Sequence, residues 1–206
     1  MKWNDFSAAR GFGFSSSGRW GVFSTTPTPL VFFLDFVIYP MLIVLCLYLA
    51  LAGDTARGAG RSLLLVALGY AVWTLAEYLI HRFIMHHVPM FKAMHFAHHD
   101  APRDLIGTPT LMSVAIFVAL VFWPLIEILG LRTASAVSAG LLLGYLAYVS
   151  VHYALHHWSS NGLRYLQRLK RHHALHHHKE NECNFGVTTT VWDWMFGTLR
   201  DIPPRG

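Results

Sequence analysis

Histidine is the residue type in this chain whose number and spacing point most clearly to chemistry. Fourteen of the 206 residues are histidine. Ten of them form four short clusters, and ten imidazoles exceed what one metal ion can bind. Divided evenly, they would give each of two ions five ligands and leave a position open on each. The ten candidate ligands are His81, His86, His95, His98, His99, His152, His156, His173, His176 and His177.

The spacing within the clusters indicates how they reach a site. Two clusters have histidines at i, i+3 and i+4, which share one helical face, so we expect each triple to point into one site. His152 and His156 stand at i and i+4, again on one face. His81 and His86 are about 140° apart on an ideal helix, so they bind different ions or the helix ends or distorts between them. His87 is a candidate substitute for His86.

The ligand type favours oxidative metal chemistry. Imidazoles suit Fe, Zn, Cu or Ni, and a structural zinc site would normally include thiolates. The chain has only two cysteines, Cys46 and Cys183. It shows no nucleophile with a positioned base, no phosphate-cradling glycine loop and no paired carboxylates of a hydrolase. A site that binds and reduces O₂ fits the pattern, and a histidine-rich surface tract that chelates metal or senses pH is the alternative.

Composition places these clusters in a membrane protein. The chain is 54% hydrophobic and 13% charged, with a mean hydropathy of +0.39, outside the usual soluble balance. We predict an all-α, polytopic fold with about four transmembrane helices. Two spans with two half-buried segments are the alternative. The apolar stretches are Leu30 to Ala52, Leu63 to Ile80, Leu111 to Leu131, and Val137 to Val151 continuing toward His156.

Charge predicts the orientation of these helices. With a cytoplasmic N-terminus and four spans, only Arg57, Arg61 and Arg132 of the 16 Lys/Arg residues fall in outer loops, as the positive-inside rule requires. All four histidine clusters then lie on the cytoplasmic face, as a histidine-rich helical cap. The sequence pI of about 9.4 is explained by anionic lipid headgroups, so we expect no nucleic-acid partner. The Ala/Gly/Arg-rich segment from Ala50 to Arg61 favours a bacterial inner membrane over the endoplasmic reticulum.

The chain is predicted to form one compact domain. Residues 1–29 are rich in Gly, Ser and Thr and lack the pattern of a secretory signal, so they are predicted to be a loose N-terminal arm. Residues 30–206 show no fixed-period repeat and no linker that would separate a second domain.

The local strings around the histidines resemble the fatty acid hydroxylase and sterol desaturase superfamily of membrane di-iron enzymes. The segment from Glu77 to His86 resembles the first histidine box of that family, and the segment from His95 to Asp104 resembles the second. Leu169 to His177 and the tail from Asn184 to Thr198 are similar to the last box and the C-terminal signature. The second box and the tail look most like the sphingolipid fatty acid 2-hydroxylase branch. The resemblance covers roughly residues 70 to 200.

The resemblance implies a membrane monooxygenase that hydroxylates a lipid acyl chain. It implies two iron ions held by the ten histidines, O₂ as co-substrate, and zinc as a substitute in a purified sample. Electrons are expected from a separate donor protein that docks on a basic inner face, because residues before 30 leave no room for a fused heme domain. That face is formed by Arg164, Arg168, Lys170 and Arg171, and a solvated, lipid-facing charge run is the alternative.

We also predict roles for several residues outside the ten candidate ligands. Glu77 and Asp193 could orient a ligand imidazole, and Glu77 could instead pair with Arg82, but a structural role is favoured for both acids. Gly140 and Gly144 are read as close helix packing. The apolar residues near the boxes that could line a lipid path, or simply pack, are Phe83, Met85, Phe91, Met94 and Trp158. The histidines expected to be supporting or surface groups are His87, His157, His172 and His178.

Three alternative functions stay open at this point. A sterol or carotenoid hydroxylase or desaturase would belong to the same superfamily. A heme-binding membrane protein would need facing histidines near mid-bilayer, whereas these clusters lie at the predicted inner ends of the spans. A histidine-rich metal transporter would place ligands along a crossing path, whereas the predicted spans hold few acids, namely Asp35, Glu77 and Glu127.

Overall fold

The computed structural model describes residues 29–53, 55–160, 162–178 and 182–201. All regular secondary structure in these residues is helical, and four helices are long and apolar enough to cross a membrane, as predicted. We call them spans 1 to 4. They are Pro29–Leu51, Ala56–Met85, Thr110–Leu129 and Leu131–His157. The predicted N-terminal arm lies outside the described residues except for Pro29.

Spans 2 and 4 extend further than hydropathy predicted. Span 2 begins at Ala56 rather than Leu63, because the Thr55 hydroxyl accepts a hydrogen bond from the Gly58 N–H at 3.4 Å and caps the first turn. Its last turns, Ile80–Met85, are π-helical. Span 4 adds a turn and a half before Val137 and continues to His157. A span predicted from hydropathy ends where polar residues begin, whereas the helix itself continues past them.

Small residues bring spans 2 and 4 into close contact. A Cβ atom at Gly140 would lie 2.0 Å from the Val66 carbonyl oxygen, and one at Gly69 would lie 2.2 Å from the Val137 carbonyl oxygen. The Trp73 ring occupies the space beside Gly144. The packing role predicted for Gly140 and Gly144 is therefore confirmed, since neither position tolerates a side chain.

Span 1 packs on span 4, while span 3 presents its surface outward. Tyr39, Ile43 and Cys46 of span 1 form a buried cluster with Ala139 and Leu142 of span 4. The most apolar window of span 3 contains no buried residue. An apolar surface of this kind suits a hydrocarbon environment, where backbone groups must be paired within the helix.

Two further helices and a short C-terminal segment cover one end of the bundle. The intervening helix, Pro89–Asp100, joins spans 2 and 3 and starts with proline at a position where its missing N–H costs nothing. The C-terminal helix, Arg164–His178, follows span 4. Residues 182–201 form a loop that contains the short helix Val191–Met195. All four histidine clusters lie at this end of the bundle.

Candidate metal centre

The histidines at the covered end of the bundle assemble into two groups. Within each group one ring nitrogen per residue lies within 4.8 Å of every other. The first histidine group is His81, His86, His95 and His176, and the second histidine group is His98, His152, His156, His173 and His177. His99, the remaining candidate, lies beside the first group, with its Nε2 2.9 Å from His95 Nε2. Its ring also stacks on His177 with 4.1 Å between centroids.

A π-helical segment places His81 and His86 in the same group. The segment Ile80–Met85 ends directly before His86. A π-helix repeats its contacts at i+5 rather than i+4, so residues five apart return to nearly the same face. The two ring centroids lie 5.5 Å apart. Of the two possibilities that the sequence left for this pair, the structure contains the distorted helix.

The histidine triples of the intervening helix and the C-terminal helix are each divided between the two groups, contrary to the expectation that each triple shares one site. Residues at i+3 and i+4 lie on opposite sides of residue i, about 100° from each other around the helix. The intervening helix therefore turns His95 and His99 toward the first group and His98 toward the second. The C-terminal helix does the reverse, since it places His176 in the first group and both His173 and His177 in the second.

Short distances join the ring nitrogens inside each group. His95 Nε2 lies 3.2 Å from His81 Nε2 and 3.0 Å from His86 Nε2. In the second group, His156 Nε2 lies 3.1 Å from His98 Nε2 and 3.0 Å from His173 Nε2. Each neutral imidazole has only one N–H, so the protons available cannot satisfy so many close nitrogen pairs by hydrogen bonding.

The same distances fit nitrogens arranged around a metal ion. With metal–nitrogen bonds of about 2.1 Å, neighbouring ligand nitrogens are about 3.0 Å apart at right angles and about 3.4 Å apart in a tetrahedron. The close nitrogen pairs of both groups lie between 2.9 and 3.4 Å. The residues present therefore fit a bound ion in each group.

Backbone carbonyls fix the tautomers of two histidines in the first group. The Nδ1–H of His176 donates to the Cys183 carbonyl at 2.8 Å, and the Nδ1–H of His81 donates to the Phe185 carbonyl. Because Nδ1 carries the proton, the lone pair of Nε2 faces the centre of the group. Two inward lone pairs at close range repel each other unless a cation lies between them.

Glu77 and Asp193 hold the loop that supplies these carbonyls. Glu77 accepts hydrogen bonds from the Val187 and Thr188 N–H groups at 2.7 and 2.8 Å and from the Thr188 hydroxyl at 2.7 Å. Asp193 accepts from the Phe185 and Gly186 N–H groups, each at 2.8 Å.

Neither acid bonds a candidate ligand, so the structural role favoured for both agrees with the geometry. Arg82, the other partner considered for Glu77, donates to the Tyr78 hydroxyl at 2.7 Å instead. The supporting carbonyls of Cys183 and Phe185 were not predicted, because a residue's type does not indicate which hydrogen bonds its backbone makes.

Burial keeps the cap histidines neutral and therefore able to bind metal. Burial, reinforced by neighbouring histidines, lowers the pKa of His98 to about 3 and that of both His86 and His99 to about 4. Burial also lowers the pKa of His176 to about 3. Burial alone would raise the pKa of Asp193, but hydrogen bonds led by His172 and Thr198 bring it below its usual value. This carboxylate is therefore ionised at neutral pH and accepts four hydrogen bonds.

The four histidines outside the candidate set lie outside both groups. His87, His157 and His178 are exposed, and the His157 ring stacks on Tyr153 at 4.2 Å. His172 is buried, and its Nε2 lies 3.1 Å from Asp193 Oδ2. It thus contributes to the support of the C-terminal loop.

A cavity of about 680 Å³ opens onto both histidine groups. All four spans contribute to its lining, which is largely apolar and reaches Leu120, Val121 and Leu141 far from the histidines. Of the five residues suggested for a lipid path, three line this cavity, namely Met85, Phe91 and Met94. The other two, Phe83 and Trp158, are exposed and do not. An acyl chain could thus reach the histidines from within the apolar part of the bundle.

A four-span helical bundle whose buried histidine groups meet an apolar cavity defines a polytopic membrane protein with a candidate two-metal centre. The sequence profile of the fatty acid hydroxylase family matches residues 66–198. The chain belongs to this family.

Related proteins cover most of this chain. Rat fatty acid 2-hydroxylase is 37% identical over 147 residues, which is 66% of this chain and 39% of the rat protein. The dihydroceramide fatty acyl 2-hydroxylase FAH2 of Arabidopsis thaliana is 33% identical over 77% of this chain and 70% of its own length. A solved structure described as full-length scs7p, with only its hydroxylase domain visible, superimposes with a TM-score of 0.72. It shares 28% sequence identity, over 83% of this chain and 67% of that one. The chain therefore spans well under half the length of the rat relative.

Proposed function

We propose that this protein is a membrane di-iron monooxygenase that uses O₂ to hydroxylate a lipid acyl chain, as a fatty acid 2-hydroxylase does. The observation that carries the proposal is the meeting of both histidine groups with one apolar cavity. The names of the rat and Arabidopsis relatives support the reaction class. The second name also supports an acyl chain in amide linkage, with carbon 2 as the position attacked.

Ten histidines would hold the two ions. With His99 added, the first group matches the second in number and in composition. Each then has one pair from the end of a membrane span. Each also has one i, i+4 pair from the intervening or the C-terminal helix, and a single histidine from the other of these two helices. This likeness supports five ligands for each ion. Neutral imidazoles suit both iron and zinc, so zinc could replace iron in a purified sample.

The reaction needs two electrons and two protons in addition to O₂. One oxygen atom enters a C–H bond to give an alcohol, and the other leaves as water. Bound iron supplies the activation of O₂ and the abstraction of hydrogen. The chain itself orients the acyl chain in the cavity, excludes bulk water, and holds the imidazoles of His81 and His176 through the backbone carbonyls.

The C-terminal helix offers a docking surface for a separate electron donor. Arg164, Arg168 and Arg171 are exposed at i, i+4 and i+7, along one face of the helix. Lys170 is half-buried, and its Nζ donates to the Trp158 carbonyl at 2.7 Å. Three arginines near the histidine groups favour an acidic partner. Reversal of the three charges should raise the KM for the donor, and the effect should shrink at high salt.

The charge pattern supports a cytoplasmic position for the histidine cap. Arg57, Arg61 and Arg132 lie at the opposite end of the bundle, where Arg132 donates to the Ala52 carbonyl at 2.8 Å. The composition of residues 50–61 supports a bacterial inner membrane, although the relatives named above are eukaryotic and add no support.

Lipid mass spectrometry tests the proposed function directly. A host that makes the protein should accumulate a lipid heavier by one oxygen atom, and ¹⁸O₂ should label that atom. A His98→Ala or His176→Ala variant should form no product and hold less metal, while His178→Ala should keep both. Full activity with undiminished metal in either of the first two variants would refute the assignment.

A further inference from the structure

A polar cluster lies inside the otherwise apolar cavity. Asp35 and Tyr39 of span 1, Ser113 of span 3 and Tyr145 of span 4 all line it. The Tyr145 hydroxyl donates to Asp35 Oδ2 at 2.8 Å, and the Tyr39 hydroxyl donates to Ser113 Oγ at 2.8 Å. The rings of Tyr39 and Tyr145 lie 4.3 Å apart. The cluster thus fixes three spans around one point of the cavity.

One acceptor of this cluster has no hydrogen-bond partner among the residues that the structure describes. Asp35 is 8% exposed, and its Oδ1 atom makes no hydrogen bond with any residue that the structure describes. The Thr110 hydroxyl lies close enough to interact with the Asp35 carboxyl group, but its hydrogen bond goes to the Val31 carbonyl at 3.4 Å. A buried polar atom without a partner destabilises the folded protein. An ionisable residue inside a span also commonly marks a functional site.

The position of the cluster relates it to the histidine groups. Tyr145 precedes His152 by seven residues on span 4, which corresponds to about 10 Å along a helix. The cavity continues on the other side of the cluster to Leu120 and Val121. A lipid chain that extends from the histidines into the cavity therefore passes Asp35 partway along its length.

We propose that Asp35 Oδ1 accepts a hydrogen bond from a hydroxyl group of the bound lipid, at about 10 Å from the carbon held at the histidines. The inference rests on the proposed function for the direction of the chain. A lipid chain without polar groups would leave Asp35 Oδ1 unpaired, whereas a hydroxyl about 10 Å from the histidines would donate a hydrogen bond to it. The hydroxyl could belong to the chain itself or to a headgroup folded into the cavity, and matched lipids distinguish the two sources.

Lipid binding without a reductant tests the site separately from catalysis. The full chain in nanodiscs would be titrated with 10-hydroxystearic acid against stearic acid, and with dihydroceramide against 1-deoxydihydroceramide. Displacement of a fluorescent fatty acid reports the affinity. The wild-type protein should bind the hydroxylated member of one pair about tenfold more tightly. Preference in the fatty acid pair indicates a chain hydroxyl, and preference in the ceramide pair indicates a headgroup hydroxyl.

Two substitutions keep the test decisive. Asp35→Leu removes the acceptor. Asp35→Ala also removes the acceptor, with a smaller side chain. Either variant should lose the preference and keep its affinity for the plain lipid. Asp35→Ala carries the test if Asp35→Leu does not fold, and Tyr48→Phe, on the exposed side of span 1, is the control.

The outcomes separate this inference from the proposed function. Equal wild-type affinities in both pairs, or a preference that survives in a folded Asp35 variant, would overturn the inference. A preference that depends on Asp35 in a protein that forms no hydroxylated product would support the lipid site and contradict the proposed function alone.

Discussion

The two histidine groups differ in what holds their rings. In the first group, the Nδ1 atoms of His81 and His176 donate to carbonyls of a loop that Glu77 and Asp193 secure. In the second group, the Nδ1 atoms of His98 and His173 and both ring nitrogens of His177 are buried without a hydrogen-bond partner among the residues described. The Nδ1 atom of His99, beside the first group, also has none.

This difference predicts that the two candidate metal sites bind their ions with unequal affinity. Ligand imidazoles that donate to a carbonyl are fixed in tautomer and orientation, and they become more basic. The first group is therefore arranged by the protein before an ion binds. The second group depends on helix geometry and on the ion itself. We expect the first group to bind its ion more tightly.

Loss of a ligand in the first group should have the largest effect. His176 is fully buried, and its replacement by alanine removes both a metal ligand and the link to Cys183. We expect His176→Ala to lower product formation by more than the ~100-fold that loss of a supporting partner costs. Elemental analysis should show one ion lost. His178→Ala, on the same helix and exposed, is the control, and an equal loss in that variant would argue against the assignment.

Loosening of the loop should have the next largest effect and should act on the first group alone. Glu77→Ala leaves the Val187 and Thr188 N–H groups without their acceptor. Metal affinity of the first group should fall about 10–100-fold, with that of the second group unchanged.

Glu77→Gln serves as the conservative comparison, because the amide oxygen can still accept from both N–H groups and the Thr188 hydroxyl can reverse its role. Titration of each variant with a competing chelator measures both affinities. Equal weakening of the two groups would show that the loop supports the whole fold rather than one site.

Acid should destabilise the metal-free protein through both groups. An unfolded histidine has a pKa of about 6.5, whereas burial lowers that of His86 to about 4 and that of His98 and His176 to about 3. Between these values the unfolded chain binds more protons than the folded chain, so stability falls as pH falls. The thermal midpoint of the metal-free protein should decrease steadily from about pH 6.5 to about pH 4. A midpoint that does not change over this range would contradict the burial of these neutral imidazoles.

Histidines outside both groups should show the smallest effect. His87 and His157 are exposed, and surface substitutions usually change stability by less than about 0.5 kcal/mol. Either alanine variant should keep its full metal content and activity. A loss of metal in His87→Ala would instead support the interpretation that His87 substitutes for His86.

The sequence predicted the parts of the molecule that depend on local pattern. The four spans follow from hydropathy, and the candidate histidines from their spacing along the chain. The joint placement of His81 and His86 was left open because a π-helical segment has no simple sequence signature. The division of each histidine triple was missed, because spacing at i, i+3 and i+4 shows that residues share a broad face but not which neighbours meet its two sides.

Contacts between distant parts of the chain could not be predicted. The carbonyls of Cys183 and Phe185 reach the histidines only because Glu77 binds a loop 110 residues later in the sequence. The polar cluster around Asp35 likewise needs three spans to meet. Both features depend on tertiary packing between residues far apart in the chain, which local sequence patterns do not reveal.

The central claim is that the two histidine groups hold two ions. The most direct measurement is the iron content per chain of the purified, iron-loaded protein, together with the same measurement on His176→Ala and on His156→Ala. A two-ion centre predicts two ions in the native protein and one in each variant, with the ion of the second group more easily removed by a chelator. One ion or none in the native protein, or two ions retained in both variants, would contradict it.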